Sequence, residues 1–212
     1  MTEITHHLPE NLLAAYAAGA LGHAFSVVVA AHVSLCLECR ARLEAHEHVG
    51  GAVLEDLAQE TVSAGLKSSV LALIDQPTPA EPVQVTRSGI FPAAVMASLK
   101  GRQPIWKSVG GGIRQCILEQ RSEGSLRLLY IPPGRAVPDH GHGGLELTLV
   151  LQGSFRDASG AFDVGDVEVA AEDVQHVPIA GEGLACICLA ASDAPLRFRG
   201  WLPRLLQPML RI

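Results

Sequence analysis

The chain lacks an excess of positive charge. Its 16 lysines and arginines stand against 22 aspartates and glutamates, a formal net charge of −6. A nonspecific grip on nucleic acid or on an anionic membrane needs a basic face, so direct binding to either is not expected. A long apolar run is missing too. The most apolar early stretch, Ala24 to Ala31, ends at His32, well short of the ~20 residues that a membrane-spanning helix needs. The first ten residues, MTEITHHLPE, hold no lysine or arginine, so no secretory leader is expected and the reading is a cytoplasmic protein. Tyrosine and tryptophan are scarce, two of each, against nine histidines. Five cysteines are too few, and odd in number, for a disulfide framework. Cys36 with Cys39, and Cys186 with Cys188, are close pairs that leave Cys116 alone. In a cytosolic chain such pairs point to metal or redox chemistry.

What is present is enough to fold. Apolar residues make up 48% of the 212, which excludes wholesale disorder. Residues 1–76 read as a small all-α bundle. Pro9 suits a first helical position, NLLAAYAAGAL is rich in helix formers, and Gly22 marks a stop. A second apolar helix is expected over 24–35, a third over CRARLEAHEHV up to Gly50 and Gly51, and a fourth over the stretch broken near Gly65. The segment QPTPAEPVQVT, with three prolines, predicts a semi-rigid linker, placed over 77–87. From 88 to 200 short runs of Val, Ile, Leu and Phe alternate with glycine and proline turns. That grammar predicts an antiparallel β-sandwich or barrel, with 201–212 as a C-terminal tail. The fold class is therefore α+β in two domains.

Two constellations carry chemistry. His32-Val-Ser-Leu-Cys36-Leu-Glu-Cys39 is H-x3-C-x2-C. Histidine and cysteine four apart share one face of a helix; the next cysteine, three further on, can stay on that face or fold back across a turn, and thiolate plus imidazole suit tetrahedral Zn2+. Composition alone would give this pattern in roughly 0.005 of such chains. The triplet supplies three ligands of four; His6 and His7 are the nearest candidates for the fourth. His46 and His48 flank Glu47 and read as solvated. In the second constellation, His140, His142 and Glu146 follow Gly134 and precede Gly153. Residues two apart on a strand face the same side, so these three can converge on a divalent first-row metal. Cys186 and Cys188 share a strand face by the same rule, and Cys116 reads as core.

The second constellation resembles the first motif of the cupin superfamily, G-x5-H-x-H-x3-E-x6-G, at every position. The second cupin motif is matched at Gly165 and His176, while Ala171, Asp173 and Ala180 depart from it. The resemblance implies a cupin β-barrel whose metal is held by His140, His142, Glu146 and His176. With HHL, AAYAAGAL, AAHVSLCLECRARLEA, PDHGHGGLELTLVLQGSF, CICLAASDAPLRF and LLQPMLRI, the whole chain is similar to the ChrR-type zinc-binding anti-sigma factors. That resemblance implies zinc held by His7, His32, Cys36 and Cys39, and a divalent metal, zinc first, in the barrel. It also implies sequestration of an extracytoplasmic-function sigma factor by the helical domain, and release on a photooxidative stress signal, such as a small oxidised molecule, sensed by the barrel. Candidate contact faces lie in 9–20 and 37–75. No enzyme is expected. The alternative is a cupin metalloenzyme, a dioxygenase or isomerase with a helical partner-binding extension. It would need an acid or base beside the metal, for which Glu119, Glu168 and Asp173 are the candidates by type.

Overall fold

The computed structural model describes residues 3–76, 85–122, 124–138, 140–141, 143–171, 175–194 and 197–198. Most of the expected linker, 77–84, and the tail 201–212 lie outside the described residues. The first four helices are α1 (Glu10–Ala17), α2 (His23–Val33), α3 (Leu37–Glu55) and α4 (Leu66–Ile74). α1 begins after Pro9 as foretold and the fourth stretch breaks at Gly65, the N-cap of α4. Gly22, expected as a stop, is instead the N-cap of α2, because α1 has already ended at Ala17, and α3 does not stop at Gly50 and Gly51. Each glycine costs a helix only ~1 kcal/mol relative to alanine, and both positions are exposed, so good helix formers on either side carry the helix through. A fifth helix, α5 (Ala93–Ser98), was not foreseen in the strand-rich half. Its signal was Pro92 followed by AAVMAS, a proline start before good helix formers.

Six strands form the main antiparallel sheet. They are β1 (Lys107–Gly110), β2 (Ile113–Arg121), β3 (Gly124–Ile131), β5 (Glu146–Gln152), β8 (Val167–Ala170) and β11 (Cys186–Ser192), in the order β1-β2-β3-β11-β5-β8. Two small sheets complete the β region. One is β10-β6-β7, from Ile179–Ala180, Phe155–Arg156 and Ala161–Phe162. The other is β12-β4-β9, from Arg197–Phe198, His140–Gly141 and Gln175–His176.

Alternation along the strands splits the apolar residues into two cores. Phe155, Phe162, Val150, Ile131, Cys186 and Cys188 face inward and pack together. The opposite face carries Leu126, Leu128, Leu147, Leu149, Ile187, Leu189 and Ala191. These do not meet water. Helix α2, apolar nearly all round with Phe25, Val28, Val29 and Ala31 buried, lies across β3, β5 and β11 together with α5. Leu8, Leu13, Val28 and Leu189 belong to one continuous cluster, so the helical segment and the barrel share a core. Leu189→Ala, at a fully buried position, is expected to cost about 2–5 kcal/mol in a denaturant titration.

The motif glycine Gly153 has a local reason. Its φ is +68°, and a Cβ there would lie 2.8 Å from the Ala185 carbonyl oxygen. Only glycine turns the chain this tightly against the neighbouring backbone.

Candidate metal centre

The triplet H-x3-C-x2-C does not lie along one helix. His32 stands in the last turn of α2, and the chain then breaks. Cys36, with φ −99° and ψ 112°, is the N-cap of α3, and Cys39 lies in the first turn of α3. The Cys36 sulfur accepts the Cys39 backbone N–H at 3.4 Å, filling one of the orphan donor positions of a helix start. The expected common helix face is thus replaced by a helix–turn–helix corner, and the corner is what turns both sulfurs toward the histidine.

The extended segment before α1 brings the fourth donor. His7 Nδ1 lies 3.3 Å from Cys36 Sγ and 3.7 Å from Cys39 Sγ. Ligand atoms of His7, His32, Cys36 and Cys39 all fall within 4.8 Å of one another. Tetrahedral zinc, with bonds of about 2.0–2.3 Å, sets its ligands about 3.5 Å apart. His6 faces elsewhere, its ring tilted 39° against Phe162 at 4.3 Å between ring centroids. Between the two histidines weighed for the fourth position, the geometry brings in His7.

The chemistry of the donors fits a metal ion. His32 is fully buried, and burial pushes its pKa down to about 4; a neutral imidazole is the ligand form. Its Nε2 has no hydrogen-bond partner among the described residues, an orphaned buried nitrogen of the kind a metal satisfies. Burial likewise raises the Cys39 thiol to about 11, so without a cation the Cys39 sulfur is expected to stay protonated. Partners outside the cluster set the ring orientations. His7 Nε2 lies 3.2 Å from Glu38 Oε2, which leaves Nδ1 free to ligate, and Arg42 Nη1 approaches Cys39 Sγ at 3.9 Å. Glu38 and Arg42 are contributions the sequence reading missed; a charged pair four apart beside CxxC was their only signal. His46, expected in water, is held by Glu10 at 2.7 Å, and His48 by the Glu44 carbonyl at 2.6 Å.

Across the shared core, the barrel touches this centre directly. His32 Nδ1 lies 3.0 Å from the Gly165 carbonyl oxygen. Asp166 accepts the backbone N–H groups of Thr5 and His6. Burial opposes its ionisation, yet the N–H groups of Asp163, His6 and Thr5 outweigh that and hold its carboxyl below the ordinary value.

The second constellation is described only in part. His142 and Asp173 lie outside the described residues, as do the side chains of His140 and His176. The backbone register pairs His140 directly with His176 across β4 and β9, two positions the sequence reading assigned to one metal. Glu146 opens β5 on the inward parity and its carboxylate accepts the Thr148 hydroxyl at 3.1 Å. The same inner face holds buried Gln115, Arg127 and Glu168, with Arg127 donating to Gln115 Oε1 at 3.2 Å and Ser125 Oγ at 3.0 Å. Glu119 instead lies near His23, 3.5 Å away. Cys186 and Cys188 do face one side, with sulfurs 3.3 Å apart among the inner apolar residues. Cys116 is buried in the outer core.

Many apolar side chains remain exposed in consecutive segments of the chain: Val49, Val53 and Leu54 in the second half of α3, Leu57 and Val62 after it, and Val70, Leu71, Leu73 and Ile74 along α4. In α4 no residue is buried. The contact face expected over 9–20 is instead partly core, since α1 buries Leu12 and Leu13.

Residues 96–194 match the family model described as the ChrR cupin-like domain. The chain is 51% identical over 212 residues to the anti-sigma-E factor ChrR of Cereibacter sphaeroides, covering 99% of each protein. It is also similar, with a TM-score of 0.81 and 49% identity, to a chain in the crystal structure of Rhodobacter sphaeroides SigE in complex with the anti-sigma ChrR. That match covers 90% of this chain and 100% of the other.

Proposed function

The chain belongs to the ChrR anti-sigma family, and on that premise we propose that it is a regulator that sequesters an extracytoplasmic-function sigma factor in the cytoplasm. The helical segment, residues 1–76, is the binding part; zinc held by His7, His32, Cys36 and Cys39 fixes its helices; the barrel, residues 88–200, receives the releasing signal. The observation that carries this reading is the 51% identity to an anti-sigma factor along the full chain. It is a regulatory protein rather than an enzyme, and among the described residues no single helix is long and apolar enough to cross a membrane.

The local physics supports sequestration. When bound, zinc would supply a four-way crosslink between the segment before α1, the end of α2 and the start of α3. The residues of this corner then present α3 and α4 in one arrangement. The exposed face of α4 is the docking surface: an apolar helix face laid against helices of a partner is a recurrent recognition mode. A nine-residue helix with no buried side chain is marginal in water, and burial against a partner would stabilise it.

The finer steps follow the same division. The barrel metal is held by His140, His142, Glu146 and His176, and a photooxidative signal, a small oxidised molecule, acts there. His140→Ala is then expected to leave sigma capture within about threefold of wild type and to slow signal-driven release at least tenfold. Capture lost in this variant would refute the division of labour. The test of the whole reading is co-purification of the full chain with an extracytoplasmic-function sigma factor of the same organism, with zinc assayed in the same sample. A stoichiometric zinc-containing complex supports it, and no complex from a fully metallated chain sinks it.

A further inference from the structure

The helical segment and the barrel meet mainly through apolar packing, and the polar seam between them lies against the metal-binding cluster. The Gly165 carbonyl oxygen is 3.0 Å from His32 Nδ1. A carbonyl only accepts, so Nδ1 carries the proton and the lone pair falls to Nε2. That is the nitrogen left inside the cluster without a hydrogen-bond partner among the described residues. One residue on, Asp166 Oδ1 accepts the N–H groups of Thr5 at 2.7 Å and His6 at 2.8 Å, and the Val167 N–H donates to the His6 carbonyl at 3.3 Å. These bonds hold the backbone that leads into His7. Asp166 Oδ2 accepts the Asp163 N–H at 2.8 Å and closes the turn on itself. Gly165 has φ +98°, and a Cβ there would come within 2.6 Å of Ile4 Cδ1; its bare backbone lets the N-terminal segment approach.

We propose that the Gly165–Asp166 turn of the barrel orients the N-terminal metal ligands, with Asp166 as the positioning residue, so that metal affinity at His7, His32, Cys36 and Cys39 depends on the state of the barrel. Histidine ligands take their tautomer and orientation from the group that holds their other nitrogen, and loss of such a partner typically weakens metal binding ~10–100-fold. Here that group belongs to the other half of the chain. The turn is also tied to the barrel wall. The Gly165 N–H donates to the Val150 carbonyl at 2.9 Å, and the Val150 N–H to the Asp166 carbonyl at 3.0 Å. Val150 and Glu146 belong to the same strand, β5, and share its inward parity. A displacement of β5 at the barrel site therefore moves the carbonyl on which His32 leans. Its regulatory meaning rests on the sequestration reading; the geometry does not.

The test is zinc affinity of the full chain without partner, by competition with a chromophoric chelator, and cobalt(II) substitution. The cobalt–thiolate charge-transfer band reports this centre, because of the two proposed ligand sets only this one contains cysteine. Asp166→Ala is expected to bind zinc ~10–100-fold more weakly at the thiolate site and to lose intensity in that band. Asp166→Asn, which keeps a carbonyl oxygen for Thr5 and His6 but turns an NH2 toward the Asp163 N–H, is expected to lie between wild type and Asp166→Ala. Wild-type zinc affinity and an unchanged cobalt band in a cooperatively folding Asp166→Ala chain would overturn the proposal. Should that variant fail to fold, hydrogen exchange decides. Cys36→Ser removes the N-terminal metal and leaves the turn intact, and the amides of Asp163 and Gly165 are then expected to exchange about tenfold faster, since coupling is reciprocal. Unchanged exchange there overturns the proposal. Sigma capture by the wild-type chain is scored separately. A chain with Asp166-dependent zinc affinity that captures nothing sinks sequestration and leaves the positioning role standing. A chain that captures sigma with zinc affinity indifferent to Asp166 does the reverse.

Discussion

The full chain carrying His32→Ala is expected to retain less than about a tenth of the wild-type zinc after gel filtration, and to lose sigma capture by at least ~100-fold. Structural zinc in a small domain is worth an apparent ~10–16 kcal/mol at neutral pH, far more than any single packing contact. The residues of the corner explain why the loss would spread. His32 stands in the last turn of α2, Cys36 and Cys39 start α3, and His7 belongs to the segment before α1, so a metal on these four donors would hold three pieces of chain. With one donor gone, α1, α2 and α3 keep their apolar contacts, of which α3 has few since Cys39 and Leu43 are its buried residues, and the exposed ion pairs of Glu10 with Arg42 and His46, which are worth little in water. Alanine also leaves a void at a position with no exposure, so a control must separate metal loss from packing loss. Leu189→Ala serves, because it removes a fully buried side chain from the same apolar cluster and touches no donor. It should keep zinc and capture despite lowered stability. Capture by a zinc-free His32→Ala chain would sink the claim that the metal fixes the binding surface.

Much of this centre was legible because close spacing in sequence carries geometry. H-x3-C-x2-C holds three donors within eight residues, and local chain stiffness alone keeps them near each other. The helix start at Pro9 and the break at Gly65 were legible for the same reason, since one residue type suits one local backbone. What spacing does not carry is the contact made by folding. The choice of His7 over His6 depends on Phe162 and Asp166 drawing His6 away, and both lie more than 150 positions along the chain. The support of His32 by Gly165 has no local signature at all, because a backbone carbonyl carries no residue type. Nor did the apolar character of 24–35 say what it packs against. A helix buried nearly all round must be covered on more than one side, and the barrel's outer face supplies that cover. α3 running through Gly50 and Gly51 shows the opposite limit: a small local cost is overridden by the residues around it.

Leu71→Asp together with Ile74→Asp on α4 is expected to reduce sigma capture by at least ~100-fold while zinc content and unfolding midpoint stay at wild-type values. Both side chains are exposed in the free chain, Ile74 by 70%, so an aspartate there faces water and the fold pays little; exposed substitutions usually stay within about 0.5 kcal/mol. In a complex the sign changes. Burying a leucine or isoleucine side chain against a partner is worth about 1.5–3 kcal/mol, and an uncompensated carboxylate in the same place adds the cost of desolvating a charge. Since 1.4 kcal/mol is a factor of ten in affinity, two such positions account for the loss without invoking any change in the metal centre. Residues three apart on a helix share one face, so the pair probes a single patch. The first prediction removes the centre that holds the helices; this one leaves the centre intact and spoils only the surface it presents. A double variant that keeps its zinc and still captures sigma at wild-type affinity would move the docking surface off α4, and the second half of α3, with Val49 and Val53 exposed, would be the next face to test.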